Sequence, residues 1–415
     1  MSTTQPDYEK ELLAWGQDRR RLREAPEELL YAIVNELTRL GINPGLGSVA
    51  IRTAHPQLDM LVMRWRPLNT DEVPTSSTTS IRGQQTIKRA DGVMDLYPLA
   101  HGHTDEEMWR ASPFHKALES KTSLRVRLNP APEHSPFPII DDLIERGMTD
   151  YVVFPLESGP TVSVVVSIAT QRPGGFPDAF ISAFESLIPT LSLSVAYKVE
   201  RFQFQQVLTA YIGREPASRV LAGQIRRGDV ITRQAAIGFA DLRGFTAASE
   251  RLNAEEFLAL IGTFFEHTCD CVYGEHGEVL KFMGDGVLFI IADEGDATAT
   301  CDRALRAVQS LSKAIGQHNA SSESPPLRFG CALHYGAVLY GNIGSTSRLD
   351  FTVVGSAVNL TARLESITSQ VGETCLVSKD FAELTSHSTR LVGEFALKGL
   401  SEPQAAYAPP DIVPT

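Results

Sequence analysis

The sequence predicts an α+β protein, in which strands and helices of a first half are followed by a second half built around a strand hairpin. Three observations support this. Residues Gly277 to Ile291, GEVLKFMGDGVLFII, read as two apolar strands about a turn at Gly284-Asp285-Gly286, since glycine tolerates positive φ. An apolar strand upstream, Ile237 to Ala240, ends at Asp241. Helical patterns separate these strands from each other and from a later strand, Leu327–His334.

Composition places the chain among ordinary globular proteins. Its 415 residues are 43% hydrophobic and 21% charged, which suits two or three domains. With 38 basic and 50 acidic residues the net charge is −12, which argues against general nucleic-acid binding. The five cysteines follow no regular spacing, which predicts reduced thiols and no disulfide framework. The N-terminus lacks a signal-peptide segment and no apolar run reaches bilayer length, so we expect a cytoplasmic protein without a transmembrane segment.

Residues 1–200 are predicted to form an N-terminal regulatory domain, and residues 68–82 a polar loop within it. A few strands flanked by helices suit a small α/β sensor fold that is loosely similar to a GAF or PAS-type domain. The pattern identifies neither a small-molecule nor a protein signal. The helical patterns that support the prediction are 7–40, Trp109–Thr122 and Phe176–Glu200. The strand patterns are 48–66, Leu124–Leu128, Tyr151–Leu156 and Val162–Ala169.

Residues 201–231 are predicted to be a helical linker between the two halves. Phe202, Phe204, Val207, Leu208 and Tyr211 form an apolar stripe at helical spacing. The stripe fits two structures equally: a parallel dimer contact that transmits a signal, or a helix packed against its own domain. Both interpretations stay open at the level of the sequence.

Residues 232–410 are predicted to form a catalytic domain with a β-α-β-β-α-β order, which is the ferredoxin-like pattern. A helix from Ser356 to about Thr368 and a hairpin between Glu394 and Tyr407 follow. The elements that give the order are the strand Ala235–Ala240, a helix from the N-cap Asn253 to about Tyr273, the hairpin at Asp285, the helix Ala297–Gly316 and the strand Leu327–His334.

Two carboxylates lie at the ends of strands in this domain. Asp285 alone is better explained as a solvated turn residue, but Asp241 supplies a second acidic strand end. Mg²⁺ takes one or two carboxylates together with phosphate oxygens, and two such ions about 3.5–4 Å apart activate an attacking oxygen and stabilise a leaving one. Backbone amides between Gly244 and Thr246 are placed to hold a phosphate.

Five motifs in fixed order resemble the catalytic domain of the class III nucleotidyl cyclases: FADLRGFT, LKFMGDG, HYGAVLYGNIG, DFTVVGSAVNLTARLE and FALKGLSEP. The resemblance covers 232–410. It implies a ferredoxin-like palm fold that dimerises head to tail, with active sites at the interface. It also implies two Mg²⁺ or Mn²⁺ ions per site. By the same resemblance, the ligands of these ions are Asp241, Asp285 and the backbone carbonyl of Leu242. The groups that contact the phosphates are Phe245, Thr246 and Lys398.

The resemblance assigns the remaining roles to the other half of a site. Asn359 would orient the ribose and Arg363 would stabilise charge at the α-phosphate, for which a permanently charged planar group is suited. Lys281 and Thr352 match the residues that read adenine. A lysine donates to the N1 acceptor of adenine, whereas guanine requires an acid there. Asp350 lies close in sequence to Thr352 and is a further candidate for base recognition.

The sequence therefore predicts an adenylate cyclase, a phosphorus–oxygen lyase that converts ATP to 3′,5′-cyclic AMP and pyrophosphate under control of the N-terminal domain. Asp241 and Asp285 of one protomer are expected to act with Lys281, Thr352, Asn359 and Arg363 of the other, which makes a homodimer with two sites. Two alternatives remain: a guanylate cyclase, and a catalytically inactive cyclase fold that serves as a nucleotide-binding signalling module.

Overall fold

The computed structural model describes residues 6–18, 28–52, 58–68, 78–81, 84–89, 91–100, 106–134, 137–157, 163–321, 325–410 and 412. The chain divides into two compact units, Met1–Val207 and Leu208–Thr415. One long helix, α6, includes the boundary between them.

The first unit is a sheet of eight strands with helices on both faces. The order of the strands is β3-β4-β5-β2-β1-β8-β7-β6. Its strands are β1 (Pro44–Arg52), β2 (Leu58–Arg66), β3 (Thr78–Ile81), β4 (Gln84–Arg89), β5 (Gly92–Ala100), β6 (Leu124–Arg127), β7 (Asp150–Glu157) and β8 (Ser163–Thr170). Its helices are α1 (Tyr8–Gly16), α2 (Glu28–Arg39), α3 (Glu106–Arg110), α4 (Pro113–Ser120), α5 (Ile139–Glu145) and α6 (Asp178–Ile212).

The two faces of this sheet have separate cores, because alternate residues of a strand point to opposite faces. Val49, Met63 and Phe154 lie on the face that packs against α1, α2 and α6. Leu46 and Val153 lie on the other face, with α4 and α5. A sheet that is buried on both faces explains the nearly continuous apolar run of β8.

Several details of this unit differ from the sequence-based expectation. Every strand pair is antiparallel, so the unit is α+β and not α/β. Strands β4 and β5 were not predicted, because polar residues and a proline interrupt the alternation of apolar and polar residues that indicates a strand. Strand β3 lies inside the predicted loop 68–82, of which 69–77 and 82 fall outside the described residues. The predicted helix 7–40 is two helices, and 19–27 between them also lie outside the described part.

Helix α6 is longer than expected. By length and composition it is sufficient to cross a membrane, with a mean hydropathy of 1.5 over its most apolar 18 residues, 39% of which are buried within the protein. This differs from the expectation from the sequence that no apolar run reaches bilayer length. Phe180, Phe184, Leu187 and Leu191 belong to the core of the first unit, which accounts for part of the apolar character.

The second unit contains a second sheet, with the order β10-β11-β9-β12-β14-β16-β15 and with β13 paired to β12. Its strands are β9 (Val230–Leu242), β10 (Glu278–Met283), β11 (Gly286–Ala292), β12 (Phe329–Gly344), β13 (Leu349–Val354), β14 (Cys375–Ser378), β15 (Arg390–Phe395) and β16 (Gln404–Ala408). Its helices are α7 (Arg214–Leu221), α8 (Phe245–Arg251), α9 (Ala254–Gly274), α10 (Ala297–Ser321), α11 (Ser356–Val371) and α12 (Lys379–Leu384).

The predicted β-α-β-β-α-β order is confirmed by β9, α9, β10, β11, α10 and β12, whose strands lie side by side in the sheet as β10-β11-β9-β12. Asn253 caps α9 as predicted: its side chain accepts a hydrogen bond from the Glu256 N–H, and the Glu256 side chain accepts one from the Asn253 N–H. The hairpin at Asp285 is also confirmed, with Met283 paired to Gly286. Helix α11 crosses one face of this sheet, where Leu364 packs with Ala332 and Leu376.

Candidate active site

Asp241 and Asp285 are brought together by the central strand β9 and the β10–β11 turn. Asp241 is directly opposite Gly286, the residue that follows Asp285. The backbone N–H of Leu242 donates to the carbonyl of Asp285 at 3.3 Å. A Cβ at Gly286 would lie 3.2 Å from a carboxylate oxygen of Asp241, so the absence of a side chain leaves room for that carboxylate.

The electrostatics of this pair fit a divalent cation. Burial, and then the nearby charge of Asp285, raise the pKa of Asp241 to about 6. Two carboxylates that repel each other in a half-buried position have a high affinity for a positive charge. Within the described residues, no cluster of three or more His, Cys, Asp or Glu side chains is arranged to hold a metal. A Mg²⁺ site that is completed by substrate phosphates does not need a third such side chain.

In the loop after Asp241, backbone groups are more available for the predicted phosphate contacts than side chains are. Gly244 adopts the left-handed conformation (φ 77°) just before α8. The Phe245 ring packs on Phe257, with centroids 5.1 Å apart, so its side chain is engaged in the fold. Thr246 is exposed in the first turn of α8. Of the predicted phosphate contacts here, Thr246 alone has a free side chain, and Phe245 retains its amide.

The predicted base-reading residues meet within one chain. Lys281 of β10 forms an ion pair with Asp350 of β13. Thr352, two residues further along β13, is buried (8% exposed) and opposite Gly341 of β12. Because residues two apart share a face of a strand, Thr352 lies on the same face of β13 as Asp350, the partner of Lys281. Sequence analysis named Asp350 only as a further candidate, and the ion pair gives it a definite contact.

Helix α11 carries Asn359 and Arg363 one turn apart, as predicted. Asn359 is exposed. The Arg363 guanidinium lies against Gly399, where a Cβ would be 3.3 Å from its Nη2, so Arg363 and the exposed Lys398 next to Gly399 are neighbours. Lys398 and Arg363 therefore form one cationic surface of a single chain.

Glu365 is a polar residue of the site that sequence analysis missed. Its pKa is raised to about 7 by burial and by the charges of Asp241 and Asp285, which places it near both carboxylates. A Cβ at Gly330, the residue opposite Asp241 on β12, would meet Oε1 of Glu365 at 2.9 Å. The signal was present in the sequence, since Glu365 follows Thr361 and precedes Thr368 at the spacing of the buried stripe of α11.

The position of Glu365 also determines where Arg363 points. Residues two positions apart on a helix, such as Arg363 and Glu365, are separated by about 200° around its axis. Glu365 faces the carboxylates of its own chain, so Arg363 and Asn359 face away from them. Within one chain, Arg363 and Asn359 are thus directed away from the carboxylates and the loop, while Lys281 and Asp350 pair with each other.

Comparisons with known proteins agree with this arrangement of motifs. Residues 231–408 match the family model of the adenylate and guanylate cyclase catalytic domain. The chain is 28% identical over 191 residues to an adenylate cyclase of Anabaena cylindrica, covering 44% of this chain and 38% of that protein. It is 31% identical over 144 residues to adenylate cyclase 1 of Rhizobium meliloti (strain 1021), covering 34% and 22%.

A solved structure, that of the guanylyl cyclase Cya2, aligns with a TM-score of 0.40 and 29% identity, over 44% of this chain and 95% of that one. The aligned segment spans well under half the length of the two curated relatives named above. The motifs, their order along the chain and the family match identify residues 231–408 as a member of the adenylate and guanylate cyclase catalytic-domain family, the class III cyclases.

Proposed function

We propose that this protein is an adenylate cyclase. The 3′-oxygen of the ATP ribose attacks the α-phosphorus, the bond from that phosphorus to the bridging oxygen of the β-phosphate breaks, and pyrophosphate leaves. The hydroxyl proton passes to solvent. The products are 3′,5′-cyclic AMP and pyrophosphate.

The observation that carries the choice of ATP is the ion pair between Lys281 and Asp350, which lies on the same face of β13 as Thr352. A lysine ammonium donates hydrogen bonds and cannot accept them, so it fits the N1 acceptor of adenine and opposes the N1–H of guanine. Asp350 fixes the position of a side chain that otherwise has many rotamers. Thr352 completes the pair by accepting from the exocyclic amine of adenine.

Asp241, Asp285 and the carbonyl of Leu242 would hold two Mg²⁺ or Mn²⁺ ions. When bound, these ions supply the positive charge that acidifies the ribose hydroxyl and stabilises pyrophosphate. Asn359 orients the ribose, and the Arg363 guanidinium neutralises charge that develops on the α-phosphate. Thr246, the amide of Phe245 and Lys398 bind the phosphates.

The carboxylates and the pair Arg363 and Asn359 complete each other only between chains, so we propose a homodimer with two sites at its interface. Arg363 and Asn359 point away from the carboxylates of their own chain, which supports a site shared between protomers. In this proposal residues 1–200 are the regulatory domain, 201–231 the linker and 232–410 the catalytic domain of a cytoplasmic signalling protein.

The direct test is to incubate the purified full-length chain with ATP, and separately with GTP, in Mg²⁺ or Mn²⁺ and to quantify both cyclic nucleotides. Asp285→Ala serves as the control. Cyclic AMP that disappears in this variant supports the reaction. Cyclic GMP as the main product would establish the guanylate cyclase alternative. Absence of both products, from the full chain and from residues 201–415, would favour the inactive nucleotide-binding module.

A further inference from the structure

Arg243 ties the turn after Asp241 to two other segments of the second unit. It directly follows Leu242, the last residue of β9. Its backbone N–H donates to the carbonyl of Arg328 at 2.8 Å, which continues the pairing of β9 with β12 one step beyond both strands. Its Nη2 donates to the carbonyl of Glu373, between α11 and β14, at 2.5 Å. One residue thus uses both its backbone and its side chain to hold this turn.

The backbone bond of Arg243 determines the direction of the Leu242 carbonyl. That carbonyl and the Arg243 N–H belong to one trans peptide, so they point in opposite directions. The N–H faces β12, and β9 lies between β12 and β11, so the Leu242 carbonyl faces the side of β11. Asp285 immediately precedes β11, and its carbonyl accepts from the Leu242 N–H on that side. The Leu242 carbonyl is therefore directed to the side where Asp285 lies.

The side chain of Arg243 passes Gly330, the residue directly opposite Asp241 on β12. A Cβ at Gly330 would lie 3.5 Å from Nε of Arg243, 2.6 Å from Oγ1 of Thr368 and 2.9 Å from Oε1 of Glu365. These polar groups occupy the space that a side chain at position 330 would need. The glycine therefore allows the arginine and two residues of α11 to meet next to Asp241.

Arg243 also acts on Glu365. Burial and the charge of Asp241 raise the pKa of Glu365, and the Arg243 cation opposes that rise, so Glu365 is near both residues. Among the described residues, Nε of Arg243 is a buried donor without a hydrogen-bond partner. An unused buried donor is unfavourable for the fold. This is more typical of a residue next to a functional site than of one that only stabilises the protein.

We infer that Arg243 is a positioning residue of the proposed reaction. Its N–H directs the Leu242 carbonyl to the metal site, and its side chain, anchored on the Glu373 carbonyl, holds that peptide in place. Groups that orient metal ligands without touching the metal change its affinity strongly, because a displaced ligand binds weakly. The inference rests on the proposed function for the identity of the metal ligands, but its test needs no turnover.

The test is a titration of the nucleotide-free, full-length chain with Mn²⁺, in which the rise of Tm with concentration gives the Kd. We expect Arg243→Met to weaken Mn²⁺ binding by about 10–100-fold. The sign of the change separates three roles. Removal of a cation that acted only by its charge would strengthen Mn²⁺ binding, since the carboxylates would become more negative. Removal of a residue that only stabilised the fold would lower Tm and leave the Kd unchanged. Either result would overturn the inference.

Two variants serve as controls. Asp285→Ala should abolish the effect of Mn²⁺ on Tm, and Arg251→Met, which removes an exposed arginine at the end of α8, should leave the Kd unaltered. If Arg243→Met does not fold, Arg243→Gln repeats the test with a shorter polar side chain.

No stabilisation of the parent chain by Mn²⁺, stabilisation that survives Asp285→Ala, or an equal loss in Arg251→Met would contradict the inference. A parent chain that makes no cyclic nucleotide would contradict the proposed function alone, because the titration does not depend on turnover.

Discussion

At the scale of single residues, Asp241 is held in a state that is unfavourable for the protein alone. Its pKa is raised from 3.8 to about 6 by burial and by Asp285. The folded chain therefore keeps a proton that the unfolded chain has already lost between those two pH values. Stability decreases as pH rises through this window, and the full penalty is present above pH 6. A residue that weakens the fold in this way is typical of a binding site for a cation.

We predict that Asp241→Asn abolishes cyclase activity and raises the Tm of the metal-free chain at pH 7.5. A gain of about 1 kcal/mol corresponds to about 2–4 °C for a unit of this size. Thermal unfolding in a chelator at pH 7.5 and at pH 4 measures the effect, which should be absent at the lower pH.

Asp302→Asn is the matched control for this prediction. Thr385 and Ser386 donate to Asp302 at 2.6–2.9 Å and hold its pKa below the ordinary value against the effect of burial. Its replacement should lower Tm at pH 7.5. A fall of Tm in both variants would contradict the interpretation of Asp241 as a strained metal ligand.

The base-reading residues offer a second prediction at this scale. We expect Lys281→Glu to lower the kcat/KM for ATP by about 100-fold and to raise the ratio of GTP to ATP turnover, because a carboxylate repels N1 of adenine and accepts from N1–H of guanine. We expect Asp350→Asn to raise KM for ATP more than it lowers kcat, since it frees the lysine without removing it. Parallel assays of both cyclic nucleotides measure these changes.

Lys313→Glu, which places the same change on an exposed position of α10, should leave the base ratio unaltered. If Lys281→Glu lowered ATP and GTP turnover equally, the ammonium would act in the fold and would not read the base.

At the scale of elements, one polar cluster connects helix α7, near the start of the second unit, to strand β10, which carries Lys281. Tyr340 of β12 donates to Glu278 of β10 at 2.6 Å, and the guanidinium groups of Arg219 (α7) and Arg233 (β9) lie 5.4 and 5.6 Å from its ring centre. Both arginines also contact Glu215 of α7. Helix α7, the second helical segment of the predicted linker, is thereby tied to the strand that carries Lys281.

Glu278 gives this cluster a pH dependence. Burial raises its pKa to about 7; the neighbouring Glu215 also raises it, and the Tyr340 hydroxyl and Arg233 oppose the rise. Although burial opposes it, the Arg219 and Arg233 cations lower the pKa of Glu215. The contribution of Glu278 is favourable below pH 4.5, where both folded and unfolded states are protonated, and is lost as pH rises through about 7.

We predict that Glu278→Gln flattens the decrease of stability between pH 5.5 and 8, whereas Tyr340→Phe lowers stability by about 1–3 kcal/mol because it leaves a buried carboxylate without its donor. Urea unfolding of the full chain at the two pH values measures both effects. Asp241 and Glu365 titrate in the same range, so the slope should decrease and not vanish. Glu383→Gln, an exposed substitution on α12, should keep the parent slope, and an unchanged slope in Glu278→Gln would exclude Glu278 as the titrating group.

Prediction of elements from the sequence succeeded where the local signal is strong. The Asp285 hairpin and the Asn253 cap have short-range chemistry that needs no tertiary contact. Strands β4 and β5 were missed, because β5 is ordered by pairing with β2, and β4 by pairing with β5, and not by their own alternation. The extent of α6 was missed for a similar reason, since burial in the core sustains a helix across residues that interrupt the apolar pattern.

At the scale of the whole molecule, the proposed homodimer draws the residues of each site from two chains. We predict that a verified heterodimer of an Asp241→Ala chain and an Arg363→Ala chain regains one of its two sites, because one site receives both native halves. Neither variant should be active as a homodimer. The measurement is cyclic AMP production by heterodimers isolated with two affinity tags.

The matched control is a heterodimer of Asp241→Ala and Asp285→Ala chains, in which both substitutions affect the same half-site and no native site is rebuilt. Activity in this pair equal to that of the first pair, or no activity in the first pair, would contradict a site shared between protomers.

The sequence by itself predicted which residues of the second unit would carry its proposed chemistry, because each of its motifs is a short segment that can be recognised without any tertiary contact. It also determined the order of strands and helices there. Only the tertiary structure decided which residues meet: that Asp350 pairs with Lys281, and that Glu365 lies beside Asp241 while Arg363 points away. The physical reason is that burial, and the pKa shifts and unpaired donors that follow from it, depend on residues distant in the chain.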